Sequence, residues 1–361
     1  MNGKLTCAMK TNTKPRICFV GPMLGQHPGW VPNPAEGLAN RLAARGFHTL
    51  LVSDKINRFQ RLGDILSTLL RRKKEIDLVS IQVYSGTSFV LTDLASLLAK
   101  SLRIPIMMVL HGGELPVFFQ RFPVWARRAL GRAEVLITPS EFLAQTIKPL
   151  GFCAKVIPNA IQIANYPYRN RRNIKPNLLW MRTFHEIYNP LLAVNVLAQV
   201  KRSFPQASLT MAGQEKGLLQ ATRQHVMELN LDESVRFVGF LGLQDKQCEF
   251  ASHDIFLNTN RVDNMPVSVV EAAAFGMPIV ATAVGGLPYL IRDGETGLLI
   301  TDDDAAAMSD AVLRLLLEPN LAGELSANAR RKAESFDWSV VLPQWENIFL
   351  SLSQHKENGN T

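Results

Sequence analysis

Cysteine is scarce in this chain of 361 residues, and the four that it has are far apart in the sequence. They form no C-x-x-C pair, which argues against a disulfide framework and against a zinc site, and suits a reducing cytosol. They are Cys7, Cys18, Cys153 and Cys248. Long apolar runs are also absent: none reaches the roughly 18 residues of a spanning helix, and residues 1–16 lack the apolar core of a signal peptide. We therefore expect a cytoplasmic protein that is neither secreted nor integral to a membrane.

The motifs of several nucleotide-dependent and nucleic-acid-binding classes are missing as well. Glycines stand at positions 21, 25 and 29 after the first apolar run, but not in the G-x-G-x-x-G spacing of a dinucleotide site. No G-K-[ST] follows them, which excludes a P-loop. Since no recognition motif for DNA or RNA is present either, we expect no nucleic-acid partner.

What the chain has in abundance is apolar sequence, 47% of its residues against 19% charged ones. This balance and the length predict two packed domains of roughly 150–200 residues and exclude disorder. Twelve short apolar runs alternate with helix-length segments, a pattern typical of parallel sheets built from βαβ units. They are Arg16–Pro22, His48–Ser53, Leu78–Tyr84, Ile104–Gly112, Glu134–Ser140, Ala154–Asn159, Leu178–Met181, Ala207–Gly213, Val235–Phe240, Asp254–Asn260, Pro278–Ala283 and Gly297–Ile300. Because twelve strands are many for one open sheet, we expect two sheets of about six.

The division between the two sheets is expected within residues 162–177, which are polar, contain two prolines and show no periodicity. Residues 1–165 would then form the first domain, residues 166–177 the linker and residues 178–335 the second domain, while the tail from Ser353 reads as disordered. Doubly wound sheets bind ligands outside the carboxyl ends of their strands. The loops that follow the strands are therefore where functional residues are expected.

Positive charge is concentrated in the first domain. Residues 1–165 contain 21 Lys or Arg and 9 Asp or Glu, whereas residues 166–361 contain 18 and 22. Residues 56–74 place an apolar helical stripe among basic residues, and residues 118–128 repeat this aromatic and basic pattern. The stripe consists of Ile56, Phe59, Leu62, Ile65, Leu66, Leu69 and Leu70. Such segments suit peripheral contact with an anionic membrane, although an ordinary core-facing helix with a solvated basic end has the same pattern.

The loop after Asp254–Asn260 leads into a helix that begins near Pro266 and is closed by Gly276. The free amides and the positive dipole end of such a helix make a natural phosphate site. Asp263 precedes the helix and Glu271 lies about one turn into it. Both carboxylates can therefore point into one cleft, where they would accept hydrogen bonds from sugar hydroxyls.

The whole string from Asp263, D-N-x-P-x-S-x-x-E-A-x-A-x-G-x-P-I-V-A-T-x-V-G-G, resembles the nucleotide-sugar-binding signature of the family-4 retaining glycosyltransferases. The resemblance implies the GT-B fold. It also implies that Asp263 contacts the transferred sugar and that Glu271 holds the ribose hydroxyls of the donor. The implied donor site continues through the residues between these carboxylates: Asn264, Met265, Pro266, Val267 and Ser268.

A second family motif, Gly-Arg followed by Lys-Gly, is only partly kept after Leu178–Met181. Arg182 matches the arginine that would neutralise the donor diphosphate, but Met181 replaces the glycine, and Asn189–Pro190 stands where Lys-Gly is usual. Loss of a cation from such a site can cost several kcal/mol at the transition state. His185, in the same loop, would compensate in part when protonated, so Asn189 and His185 join the implied donor site.

Two loops of the first half complete the implied site. The H-G-x-x motif at His111 resembles the family motif whose histidine lies beside the donor sugar. His111 is therefore a catalytic candidate together with Arg182, Asp263 and Glu271. On the acceptor side the candidates are Gly112, Gly113 and Glu114, together with Gly29 and Trp30. The last two occupy the region of a family Gly-Gly pair that lies near the diphosphate and the acceptor, so Gly29 is also a donor-binding candidate.

The resemblance covers roughly residues 16–350 and implies two doubly wound Rossmann-like domains that face a central cleft, with a C-terminal helix at residues 336–352 packing back on the first domain. The implied reaction moves a hexosyl-type sugar from a nucleotide-diphosphate sugar to a glycan or lipid-linked glycan acceptor, with retention and without a metal ion or cofactor. Surface polysaccharide or glycoconjugate synthesis is the implied setting, at the cytoplasmic face of a membrane. Two alternatives stay open: a sugar-nucleotide epimerase of the same fold, and a degenerate nucleotide-sugar-binding subunit.

Overall fold

The computed structural model describes residues 14–358 apart from residues 28, 29 and 31, and for residues 354–358 it describes the backbone alone. Eleven of the twelve predicted apolar runs contain a strand, and the remaining run, Leu178–Met181, lies within one, so that prediction is confirmed. The strands are β1 Arg16–Val20, β2 His48–Val52, β3 Leu78–Val83, β4 Ile106–Leu110, β5 Val135–Thr138, β6 Lys155–Val156, β7 Asn177–Met181, β8 Ser208–Ala212, β9 Val235–Gly239, β10 Ile255–Asn258, β11 Ile279–Thr282 and β12 Leu298–Ile300.

Helices connect these strands throughout the described residues. They are α1 Pro34–Ala44, α2 Arg58–Arg71, α3 Ser88–Ser101, α4 Leu115–Arg121, α5 Pro123–Leu130, α6 Glu141–Ile147, α7 Pro190–Ser203, α8 Leu219–Glu228, α9 Leu243–Ser252, α10 Val267–Ala274, α11 Leu287–Leu290, α12 Ala305–Leu317, α13 Leu321–Glu334 and α14 Trp338–Asn358. Among the described residues, none of these helices has both the length and the apolarity needed to cross a bilayer.

The strands form two sheets of six, as expected. The first has the order β2-β1-β3-β4-β5-β6, and its pairs β1–β2, β1–β3 and β5–β6 are parallel. Strands β3 and β4 are buried along their whole length. Helices that cover both faces of a parallel sheet cause this burial, and it explains why these strands read as continuous apolar runs rather than alternating ones.

The second sheet has the order β12-β11-β10-β7-β8-β9 and is parallel throughout. The chain builds outward from β7 in one direction through β8 and β9, and in the other through β10 to β12. The strand order therefore reverses between β7 and β10, which is the topological switch point where open α/β sheets bind ligands.

The linker, residues 166–177, is held to the second sheet's helices by a buried arginine. Arg171 Nη2 donates to the carbonyl of Phe250 at 2.7 Å, and Arg171 Nη1 donates to the carbonyls of Arg169 and Phe275. Burial lowers the pKa of Arg171 to about 10. Phe250 lies near the end of α9 and Phe275 directly follows α10, where backbone carbonyls lack intrahelical partners and attract cations. The linker thus supplies hydrogen bonds to backbone carbonyls at the carboxyl ends of α9 and α10.

The chain divides into two compact units, and their limits differ from those of the predicted domains. The predicted domain limits stay a prediction. One unit comprises residues 1–109, 127–136 and 342–361, and the other residues 110–126 and 137–341. Most of α14 belongs to the first unit, where Phe349 packs edge-on against Phe19 with ring centroids 5.9 Å apart. This helix runs on to Asn358, beyond Ser353, because Gln, His, Lys and Glu in that stretch are compatible with helix.

Candidate functional site

Arg182 and Asp263 meet at the switch point of the second sheet. Arg182 directly follows β7, and its Nη2 donates to Asp263 Oδ2. The same oxygen accepts a hydrogen bond of 2.7 Å from Asn260 Nδ2, and Oδ1 accepts one of 2.7 Å from the backbone N–H of Asn264. The guanidinium also lies over the ring of Tyr188, 4.2 Å from its centroid. The structure therefore brings these two predicted residues together and fixes the carboxylate from three sides.

The amino end of α10 lies directly after this pair. Pro266 occupies the N-cap position with extended backbone, and no side chain caps the helix. Ser268, in the first turn, is buried, and its Oγ has no hydrogen-bond partner among the described residues. Val267 is exposed. Since uncapped N-terminal amides carry partial positive charge, this end can bind an anion.

Two glycines hold the loop of Asp263 in place. The backbone N–H of Gly286 donates to the carbonyl of Asp263 at 3.1 Å. A Cβ at Gly285 would overlap with that carbonyl, and one at Gly286 with the carbonyl of Asn264. The two glycines at the V-G-G end of the signature are therefore required, because their backbone contacts the backbone of Asp263 and Asn264. The sequence alone does not reveal this reason.

The segment after β4 lies against the same loop, within the second unit. A Cβ on Gly113 would lie 2.8 Å from Val262 Cγ1 and 2.9 Å from the carbonyl carbon of Asp263. His111, two residues before it, is buried, and burial lowers its pKa to about 4. The ring is consequently neutral at pH 7. Gly112 has a left-handed φ of 89°, and Glu114 is exposed.

Glu271 is buried one turn into α10 and has two partners that sequence reasoning missed. Lys246 Nζ, on α9, lies 3.1 Å from each carboxylate oxygen, and the hydroxyl of Tyr166 donates to Oε1 at 3.2 Å. Burial, followed by the charge of Glu271, raises the pKa of Tyr166. In the sequence, the only sign of a role for Tyr166 is that it is an aromatic residue in a polar linker. The run LQDKQCEFAS contains no sign of a role for Lys246.

Asn189, at the position of the missing lysine, has an acidic partner other than Asp263. It adopts a left-handed φ of 44° just before α7, and its Nδ2 donates to Asp303 Oδ1 at 2.9 Å. That hydrogen bond, with Arg261 nearby, lowers the pKa of Asp303. His185 is exposed, and its Nδ1 accepts a bond of 3.3 Å from the N–H of Ile187.

Two other predicted donor residues have structural contacts in the second unit. Asn264 accepts a hydrogen bond from Ser140 Oγ, and the carbonyl of Met265 accepts one of 3.2 Å from Asn159 Nδ2. Of the two remaining acceptor-side candidates, Trp30 belongs to the first unit and is 45% exposed. Gly29 lies outside the described residues.

Two family models match the chain. Residues 175–318 match the model described as glycosyl transferases group 1, and residues 55–165 match the model described as glycosyltransferase family 4. The first match contains the switch point and both carboxylates. The second covers much of the first sheet and includes His111.

Two curated proteins are similar to about 70% of the chain. The chain is 26% identical over 276 residues to a glycogen synthase of Mycobacterium tuberculosis, covering 70% of this chain but only 65% of that protein. It is also 26% identical over 265 residues to a phosphatidyl-myo-inositol mannosyltransferase of Mycobacterium leprae, covering 69% of this chain and 68% of that protein. The chain thus spans about two thirds of the length of these relatives, and slightly less for the synthase.

A solved structure matches nearly the whole chain. HepE of Anabaena, in complex with UDP, has a TM-score of 0.73 at 18% identity, covering 93% of this chain and 100% of that one. Another crystal structure of HepE contains UDP-glucose. With the two six-stranded sheets, this likeness confirms the GT-B fold that the resemblance implied.

Proposed function

Since the chain belongs to the family-4, group 1 glycosyltransferases, we propose that it transfers a hexosyl-type sugar from a nucleoside diphosphate sugar to a glycan or lipid-linked glycan. One observation carries this proposal: the Arg182–Asp263 pair stands at the switch point, directly before the uncapped end of α10. This arrangement offers a cation, helix amides and a hydroxyl to a diphosphate, and a carboxylate to a sugar. The setting, surface polysaccharide or glycoconjugate synthesis, is part of the same proposal.

The diphosphate is the leaving group, so its charge must be stabilised as the glycosidic bond breaks. Arg182, the amides at the start of α10 and the unpartnered Ser268 Oγ would do this. Arg182 is already oriented by Asp263 and Tyr188, which reduces the reorganisation needed on binding. Neither a metal ion nor a cofactor is required by this scheme, although the Lys-Gly pair is replaced by Asn189–Pro190.

Glu271 would hold the ribose. The rise of one helical turn, about 5.4 Å, separates it from the start of α10, a spacing that suits the distance between a diphosphate and the ribose hydroxyls. A hydroxyl can donate to Glu271 and accept from Lys246 at the same time. Tyr166 keeps the carboxylate in position from the linker side.

Asp263 would contact the transferred sugar, and His111 would orient it. Because the imidazole is neutral, it offers one donor and one acceptor rather than a second positive charge. The acceptor oxygen bonds to the anomeric carbon on the face that the diphosphate leaves. The bond between that carbon and the diphosphate oxygen breaks with its electron pair on the diphosphate, and the acceptor proton passes to a diphosphate oxygen. The configuration is thereby retained without a protein nucleophile.

Uridine nucleotides are the first donors to test, because HepE has been solved with UDP and UDP-glucose. We expect calorimetric titration with UDP, GDP and ADP to give micromolar affinity for one of them. Glu271→Gln should weaken it at least tenfold, because the neutral amide is a poorer acceptor for ribose hydroxyls. Asp310→Asn, at an exposed carboxylate of α12, is the matched control. Absence of binding by every nucleotide would refute the donor site.

A nucleotide-sugar-binding subunit is the second candidate, favoured by the commitment of Asn189 to Asp303 at the lysine position. It differs from the enzyme in one measurable respect. With a bound UDP-sugar and an acceptor mixture, the enzyme releases UDP and forms glycoside, whereas the binding subunit returns the donor intact. An epimerase would isomerise the donor without acceptor, which proton NMR of the sugar would detect.

A further inference from the structure

The first sheet carries two neighbouring helices, α2 and α3, on one face. Helix α2 connects β2 to β3, and α3 connects β3 to β4, so both crossovers move across the sheet in the same direction. Because such crossovers are right-handed, both helices cover the same face and run parallel to each other. They are in contact, and Arg58 at the start of α2 donates to Thr87 at the start of α3. Both belong to the first unit.

The apolar stripe of helix α2 is buried along one side and exposed along the other. Ile65 and Leu69 are fully buried, and the buried Arg61 donates to the backbone carbonyls of Lys55 and Ile56 at 2.9 and 3.1 Å. Phe59, by contrast, is 86% exposed and Leu70 is 56% exposed. At about 100° per residue the predicted stripe spans roughly half the helix circumference. Its seven members therefore do not share one buried face: Ile65 and Leu69 face the core, as the core-facing alternative predicts, whereas Phe59 and Leu70 do not.

Helix α3 continues the exposed apolar surface. Val90, Leu94 and Leu97 follow the i, i+4, i+7 spacing of one helical face, and all three are exposed, Leu97 by 53%. The opposite side of the same helix is buried at Phe89 and Ala95. Two adjacent helices thus expose five large apolar side chains: Phe59, Leu70, Val90, Leu94 and Leu97. Apolar side chains gathered in one patch are typical of interaction sites.

Basic residues border this surface at one end. Residues 54–75 contain seven Lys or Arg against three Asp or Glu, and four of the basic residues are consecutive at 71–74. Lys100 and Arg103, at the end of α3, are exposed. Because α2 and α3 are parallel, their carboxyl ends and these cations lie at the same edge of the surface.

The combination of an apolar face and a basic edge distinguishes a second copy of this chain, a nucleic acid and a membrane as binding partners. A symmetric dimer would bring the same face of each copy together, and with it like charges. A nucleic acid would satisfy the cations but leave Phe59 and Leu97 exposed to water. An anionic bilayer satisfies both, because its acyl boundary accepts apolar side chains and its headgroups attract Lys and Arg.

We propose that the outer face of α2 and α3 is a membrane-docking surface, which inserts Phe59, Leu70 and Leu97 at the headgroup boundary of an anionic bilayer. The proposal does not depend on the chemistry of the donor site. Its consequence is positional: an enzyme held there acts on acceptors at the membrane surface.

The test is flotation of the full chain with vesicles of phosphatidylcholine, with and without about a third phosphatidylglycerol. The protein should float with the anionic vesicles alone and be released as NaCl rises from about 0.1 to 0.5 M, since salt screens the headgroup attraction. Phe59→Ser should reduce bound protein at least fivefold, and so should the pair Lys73→Glu and Lys74→Glu.

Matched controls carry the same chemical changes elsewhere. Leu317→Ser removes an apolar side chain that is 66% exposed on α12, and the pair Lys148→Glu and Arg202→Glu inverts two exposed charges. Both controls should float like the wild type. Failure of the wild type to float, equal loss in controls and test variants, or a solution dimer that Phe59→Ser dissociates would overturn the proposal. None of these results bears on nucleotide binding, which is measured without vesicles.

Discussion

Helices α10 and α2 are both rich in apolar residues, yet the protein uses them in opposite ways. Seven of the eight residues of α10 are buried, whereas α2 buries Arg61, Ile65 and Leu69 among its fourteen. The charge of α10, Glu271, is enclosed and paired with Lys246, while two of the four charges of α2, Arg58 and Arg71, are exposed at its ends. Apolar content therefore does not identify a core helix. The placement of charge separates a helix that builds a site from one that presents a surface.

Removing the cation beside α10 should have the largest effect on activity. Arg182→Met should lower the sugar-transfer rate by about 10²–10³-fold, because the leaving diphosphate loses its oriented positive charge. Steady-state kinetics with the preferred donor measure this. Arg202→Met, at an exposed arginine at the end of α7, should leave the rate unchanged. An Arg182→Met enzyme that folds and keeps full activity would remove Arg182 from the mechanism.

The buried histidine makes the stability of the α10 side dependent on pH. His111 has a folded pKa of about 4 against an ordinary value of 6.5, so the unfolded chain binds more protons between these values. The free energy of unfolding should therefore fall as pH falls through this window, by about 3 kcal/mol from this residue. Urea unfolding at pH 7 and pH 4.5 measures the decline.

His111→Gln should reduce that decline without abolishing it, because burial also lowers the pKa of His253, which remains. The same decline in wild type and variant would mean that His111 titrates normally in the folded protein.

The ion pair between Lys246 and Glu271 should have a smaller effect on nucleotide binding, and a double-mutant cycle measures it. Glu271→Gln and Lys246→Met should each weaken nucleotide binding, and the double variant should lose less than the sum of the two. We expect a coupling of about 1–2 kcal/mol, typical of residues in direct contact. Tyr166→Phe, which keeps the ring and removes the hydroxyl, tests the third member. Additive losses would show that Lys246 and Glu271 act independently.

The smallest effect is expected on the exposed side of α2. Phe59→Ser should change the free energy of unfolding by no more than about 0.5 kcal/mol, because the ring is 86% exposed. Leu69→Ala, on the buried side of the same helix, should cost about 2–5 kcal/mol. Equal costs at the two positions would mean that Phe59 is buried in solution.

The strand pattern was predictable because parallel strands covered on both faces read as apolar runs, and all twelve were found. The roles implied for Arg182, Asp263 and Glu271 stay predictions; as candidates these residues were predictable too, because a family signature carries them. Lys246 and Tyr166 were not, since their roles arise only when α9 and the linker fold against α10. The exposure of Phe59 was equally hidden, because periodicity places apolar residues on a helical stripe but does not tell which side of a broad stripe meets the sheet.

A crystal structure of the protein soaked with UDP would directly test the donor site between Arg182 and Glu271. Diphosphate oxygens should lie within hydrogen-bonding distance of Arg182 and Ser268 Oγ, and the ribose hydroxyls should be hydrogen-bonded to Glu271 with Lys246 beside them. A nucleotide bound elsewhere, or bound with Glu271 still closed on Lys246 and Tyr166 alone, would contradict it.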